Sequence, residues 1–275
     1  MKVSGKNKKI EIKKLGKVLK TDKNGFLIKK VSLRLIDLYW MKILNRMVLA
    51  YKNKFGENIH SIYVRGSIPL GTAQKGFSDV DLIVILNKPI SKAEEKWEQM
   101  LENKIKRQFP SIKYFDVKFT TKEQVITSKK LCLFIKTGSV CLYGKDMSPE
   151  IHKIKPGKDT VIHSRYIGRI LQIERPKIVE SKSESITKGL CSTLMKPILR
   201  VGYELVAERE KAFTRDLYFC YKGFIKYYPQ KEKDMYRVLE LAINPTSDKN
   251  EILNIIDVFG TWLKKEVEKT FNFKK

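Results

Sequence analysis

Apolar and polar positions along this chain follow two periods, and the switch between them divides it. From Ser61 to Leu86 the sequence SIYVRGSIPLGTAQKGFSDVDLIVIL carries β-branched runs on either side of a glycine-rich stretch. Ile62, Val64 and the Val80–Leu86 run predict two buried strands, with Gly66-Ser67, Gly71 and Gly76 marking a tight connection between them. Upstream, over Ser32–Phe55, the residues Leu33, Ile36, Trp40, Ile43, Leu44, Met47 and Tyr51 recur at spacings of three and four. That spacing predicts a long helix, capped by Ser32 and ended by Gly56. Downstream, Ser91–Phe109 predicts a helix opened by a Ser91/Glu94 capping box and stopped by Pro110. Ile112–Phe119 alternates like a strand, Lys122–Lys136 reads as helical, and Ser139–Tyr143 reads as one more strand. Helix, strand, strand, helix, strand, helix, strand predicts an α+β domain with a mixed sheet.

Ser148–Asp159, with two prolines and Gly157, reads as a linker. From about Thr160 the helical period takes over. Stripes at Leu190, Leu194, Ile198, Val201 and Leu205, then Leu217–Tyr228, Met235–Ala242 and Ile252–Leu263, predict four amphipathic helices packed as a bundle. Asn244–Ser247 is the break and new cap before the last of them. The expected division is a basic segment over 1–30, an α+β domain over 31–150 and an all-α helical bundle over 151–275. Asn24-Gly25, between short apolar pairs, predicts a hairpin within the basic segment.

Asp79 and Asp81 open the second central strand. Residues two apart on a strand share a face, so both carboxylates project from one edge of the sheet. Two like charges side by side resist burial, and a hard divalent cation such as Mg2+ removes the conflict while keeping positions open for phosphate. The Gly66-Ser67 turn lets a backbone approach a phosphate, with N–H groups and a hydroxyl as donors. Together these parts suit a nucleoside triphosphate held on metal.

Gly66-Ser67, an interval, then Asp79-Val80-Asp81 resembles the signature of the DNA polymerase β-like nucleotidyltransferase superfamily. Arg65 and Ser78 look like the bacterial stand-alone members, among them the aminoglycoside nucleotidyltransferases. An Asp-x-Asp by itself is common; one behind a strand-borne Gly-Ser, with a third strand-borne aspartate, is specific. The family's third carboxylate matches Asp116. The resemblance implies catalysis and metal binding by Asp79, Asp81 and Asp116, and nucleotide binding by Gly66 and Ser67. It implies two Mg2+ ions, with Mn2+ as a substitute, and an NTP donor, ATP first among the candidates. An NMP would pass to a hydroxyl with release of pyrophosphate.

Charge narrows the acceptor. The 275 residues hold 45 lysines and 11 arginines against 30 acids, a net charge of +26. Two readings of this stand: a lysine-rich genome composition, which does not fully explain the shortage of acids, and a polyanionic partner such as RNA. A polycationic aminoglycoside is a poor match. Three readings stand: an enzyme modifying RNA or another polyanion, a small-molecule antibiotic nucleotidyltransferase, and a non-catalytic, antitoxin-like binding module. Cys132, Cys141, Cys191 and Cys220 lack metal-site spacing and read as free thiols. No apolar run is long enough for a membrane helix, and no secretion signal is visible, so no membrane partner is expected and the cytoplasm is the expected compartment. Oligomeric state is not legible.

Overall fold

The structure, a computed structural model, describes residues 12, 14 and 16–273. Much of the basic segment, including residues 1–11, lies outside the described residues. The chain forms two units: Phe26–Ile154, and Lys155 onward together with the described residues up to Gly25.

The expected hairpin centres on Asn24-Gly25. The chain does turn there, with the Gly25 N–H donating to the Asp22 carbonyl at 3.0 Å and the Asp22 carboxylate accepting from the Asn24 N–H at 2.9 Å. The strand before it, β1 (Leu19–Lys20), pairs with a distant strand at Ala212–Phe213, with Leu19 opposite Phe213.

In the Phe26–Ile154 unit the long helix is α1 (Leu38–Phe55), and it starts later than its pattern suggested. Ser32 caps only a short 3-10 turn at Leu33–Leu35; Asp37 caps α1 by accepting from the Tyr39 N–H. Leu38 is 78% exposed, whereas Ile36, outside the helix, is buried in the same core as Trp40 and Ile43. Next come β2 (Ile59–Arg65), β3 (Val80–Leu86), α2 (Lys92–Gln108) and β4 (Phe115–Thr121). Both halves of the Ser91/Glu94 capping box are present at α2. Thr121 then caps α3 (Lys122–Thr127), Ser128 caps α4 (Lys129–Leu133), and β5 (Ser139–Gly144) closes the sheet.

Strand order is β4-β3-β2-β5, with β3 and β4 parallel and the other pairs antiparallel. The sheet is therefore mixed, and β2 and β3 are central. Their unbroken apolar runs follow from burial on both faces. One face (Ile62, Val64, Val80, Leu82, Val84) packs under Trp40, Ile43, Leu44, Met47 and Tyr51 of α1 and Leu101 and Ile105 of α2. The other (Tyr63, Ile83, Ile85) packs against Val125, Leu131 and Ile135. Burying each such aliphatic side chain contributes roughly 1.5–3 kcal/mol. Within the first core the Tyr51 hydroxyl donates to Glu98 Oε1 at 2.6 Å.

The second unit is helical: α5 (Ile167–Glu180), α6 (Glu184–Glu204), α7 (Ala207–Glu210), β6 (Ala212–Phe213), α8 (Leu217–Ile225), α9 (Glu232–Ile243), α10 (Lys249–Asn254) and α11 (Thr261–Phe271). α6 runs through the middle and packs on α5, α8 and α9. Its stripe of Leu194, Ile198 and Val201 is buried among Phe224, Val238, Leu239, Ile256 and Phe259. The cap after Asn244 is Asp248, which accepts from the Asn250 and Glu251 N–H groups. Glu204, at the end of α6, ties down the chain entering α5: its carboxylate accepts from the Ile162, His163 and Ser164 N–H groups. All four cysteines are free. Among the described residues no helix is long and apolar enough to cross a membrane.

Candidate active site

Strand ends position the site. β2 ends at Arg65, β3 begins at Val80, and the connection between them carries Gly66-Ser67 at one end and Asp79 at the other. Arg65, Asp81, Ile83 and Ile85 follow the alternation of one sheet face, the face covered by α3 and α4. In the parallel ladder Asp81 is the register partner of Asp116. The third aspartate thus stands beside the second on the adjacent strand.

Arg65 lies between them. Its guanidinium pairs with Asp81 at 2.8 Å and also with Asp116, the side chains being 18%, 20% and 52% exposed respectively. Burial pushes the Asp81 carboxyl up to about 7; Arg65 opposes this, and Asp116 and Asp79 add to it. Asp79 sits one residue before β3, and its Oδ1 is buried with no hydrogen-bond partner. The Tyr114 hydroxyl bonds to Asp79, and that bond, with burial and the nearby carboxylates, pushes the phenol up to about 12.

Gly66 brings the turn against the acidic end. Its φ is +78°, and a Cβ added there would meet Asp81 Oδ2 at 2.3 Å. Only a residue without a side chain fits. Ser67 is half-buried, and its carbonyl accepts from the Thr72 N–H at 3.0 Å, closing the turn. The far side of the connection is tied to the segment before β4: Gly76 N–H donates to the Ser111 carbonyl at 2.7 Å and Val80 N–H to the Tyr114 carbonyl at 3.0 Å. Backbone hydrogen bonds therefore join the two strand entries that carry Asp79, Asp81 and Asp116.

Among the described residues no group of three or more Asp, Glu, His or Cys side chains is set as a metal cluster. The donor set nonetheless suits a hard divalent cation. It is all carboxylate oxygen, one oxygen of Asp79 is buried without a partner, and Asp81 is hard to ionise where it stands. Arg65 now answers the charge that a cation would answer. Sequence reasoning did not assign roles to Arg65 or Tyr114. Tyr114 was within reach of it, because it stands two residues before Asp116.

Residues 44–155 match the family model described as "Nucleotidyltransferase domain". That segment, which holds the sheet and all three aspartates, matches as a nucleotidyltransferase domain, consistent with the resemblance to the DNA polymerase β-like superfamily. Among solved structures the chain is similar to the spectinomycin adenyltransferase AAD(9) from Enterococcus faecialis, crystallised with ATP and spectinomycin. The identity is 12% over 83% of this chain and 99% of that one, with a TM-score of 0.47. It is also similar to a mutant of the toxin–antitoxin pair MntA–HpeT, at 20% identity over 49% of this chain and 94% of that one, with a TM-score of 0.28. No curated protein matches the chain.

Proposed function

We propose that this protein moves a nucleoside monophosphate from a nucleoside triphosphate, ATP first among the candidates, to a hydroxyl acceptor and releases pyrophosphate. The observation that carries this reading is the meeting of Asp81 and Asp116 across β3 and β4, with Asp79 two residues away and the Gly66 turn pressed against Asp81. Phosphoryl transfer needs positioning and charge neutralisation more than covalent help from the protein. Asp79, Asp81 and Asp116 would hold two Mg2+ ions, with Mn2+ as a substitute, and such ions would neutralise phosphate charge and make the acceptor hydroxyl more acidic.

The chain's own residues do the rest. The Gly66-Ser67 backbone and the Ser67 hydroxyl take the terminal phosphates. Asp116, the most exposed of the site's ion-paired groups, receives the proton of the acceptor hydroxyl. The acceptor oxygen bonds to the α-phosphorus as the α–β bridge breaks, and the bridging electron pair leaves with pyrophosphate. Arg65 holds Asp81 and Asp116 in place. The net charge of +26 favours a polyanionic acceptor such as RNA over a polycation.

The test is incubation of the full chain with each labelled NTP, Mg2+ and a cell extract, followed by nuclease or protease treatment of the product. Wild type is expected to label an acceptor, and Asp79→Asn to lose labelling while unfolding at the same temperature. Wild-type labelling by Asp79→Asn would refute the assignment.

A further inference from the structure

The helical unit carries a cavity that nucleotidyl transfer at the three aspartates does not use. Its volume is about 460 Å3, and small-molecule sites run roughly from 300 to 1,000 Å3. One wall is the β1–β6 ribbon and another is α8. Strand pairing assembles the first. Lys20 of β1 stands opposite Ala212 of β6, one position from Lys211. On the second wall Phe219, Lys222 and Gly223 share one face of α8 at spacings of three and four. Gly223 lets Tyr203 lie flush against that helix, because an added Cβ would meet Tyr203 Cε2 at 2.6 Å. Tyr203 also lines the cavity, and its hydroxyl is buried with no hydrogen-bond partner.

The charges here are unbalanced. Four lysines line the cavity against a single carboxylate, Glu210. Lys226 already holds that carboxylate, at 2.8 Å. Among the described residues Lys20, Lys211 and Lys222 have no carboxylate at ion-pairing distance, and all three are exposed. Gathered ammonium groups repel one another and concentrate anions. Lys211 is moreover held at φ +48°, at the end of α7. Glycine is the usual residue at such a left-handed helix end, and here the position carries a lysine.

We propose that this cavity binds a nucleotide through its phosphate. Lys20, Lys211 and Lys222 take the phosphate oxygens, and the half-buried Phe219 ring packs on the base. A free mononucleotide and one nucleotide of an RNA strand share this chemistry. The site is built from residues of the helical unit alone and involves none of Asp79, Asp81 and Asp116, so it stands independently of the transfer reaction.

The test uses the full chain in EDTA, which withholds from the aspartates any cation that would hold a nucleotide there. Two probes are titrated across a salt series: fluorescein-labelled penta-adenylate RNA by anisotropy, and AMP by calorimetry. Adenosine is the uncharged control. Lys211→Gly and Lys222→Gln are each expected to weaken binding about fivefold and to lower the salt slope by about one. Lys211→Gly relieves the left-handed backbone, so it is expected to unfold at no lower temperature than wild type, and its loss of binding is not loss of fold. Lys182→Gln, an equal charge loss at an exposed position between α5 and α6, is expected to change neither. Binding of AMP identifies a free nucleotide as sufficient; binding of the RNA alone identifies a strand.

The inference is overturned by no binding of either phosphorylated probe, by adenosine binding as tightly as AMP, by wild-type affinity in either cavity variant, or by an equal loss from Lys182→Gln. Lysine-dependent binding with no nucleotide transfer by the wild type sinks the enzyme reading alone. Transfer by a wild type that shows no such binding sinks the cavity alone.

Discussion

Gly66→Ala is the sharpest probe of the site, because the structure supplies both the perturbation and its control. Two costs add at this position. The first is backbone: φ is +78°, and an alanine in the left-handed region costs about 1–2 kcal/mol. The second is steric. The new methyl would lie 2.3 Å from Asp81 Oδ2, well inside the 3.4 Å at which ordinary contact begins, so the carboxylate must move by roughly 1 Å. That movement breaks the 2.8 Å pair with Arg65, a partly exposed bond contributing about 1 kcal/mol. The sum is about 2–3 kcal/mol, or on the order of 5–10 °C in the melting of this unit.

Gly76 is the control. Its φ is +83°, and nothing lies within 4 Å of an added Cβ. Gly76→Ala therefore carries the backbone cost alone. The assay is denaturant unfolding of wild type, Gly66→Ala, Gly76→Ala, Asp81→Ala and the Gly66→Ala/Asp81→Ala double variant. Gly66→Ala is expected to cost about 1 kcal/mol more than Gly76→Ala, and that excess should vanish when Asp81 is already alanine. A Gly66→Ala cost equal to that of Gly76→Ala, or an excess surviving in the double variant, would refute the contact between turn and carboxylate. Loss of nucleotide transfer in Gly66→Ala should accompany the excess.

Burial pushes the Glu98 carboxyl from its ordinary 4.5 up to about 7, so the folded chain holds a proton across that window that the unfolded chain has released. Stability contributed at Glu98 thus falls as pH rises through it, and Glu98→Gln, which keeps an acceptor for Tyr51, should flatten the fall by roughly 2–3 kcal/mol in urea unfolding between pH 4.5 and 7.5. At Glu204 burial pushes the carboxyl up, but the bonds from His163 and Ser164 outweigh it and hold the group below its ordinary range. Its contribution is present above pH 4.5 and lost as pH falls through the folded value, and Glu204→Gln should cost the helical unit roughly 2–4 kcal/mol at pH 7 by the same assay. EDTA should abolish nucleotide transfer and added Mg2+ should restore it; full activity in EDTA would remove the metal from the scheme.

The sequence by itself determined the elements whose signals are local. The β2–turn–β3 stretch, the Ser91/Glu94 cap and the apolar stripes of the bundle all read directly, because period, capping and glycine placement depend on a few neighbouring residues. The fold class followed from their order. Only the tertiary structure decided what depends on residues far apart in the chain. Leu19–Lys20 found its partner at Ala212–Phe213, nearly two hundred residues along the chain. Leu33 and Leu35, each about half exposed, fall in a 3-10 turn outside α1, which Asp37 caps. The sequence named Asp81 and Asp116 separately, but their register across a parallel ladder, and Arg65 lodged between them, needed the sheet to be assembled. Parallel pairing carries no local signal, since the strands it joins are linked only through the intervening helix.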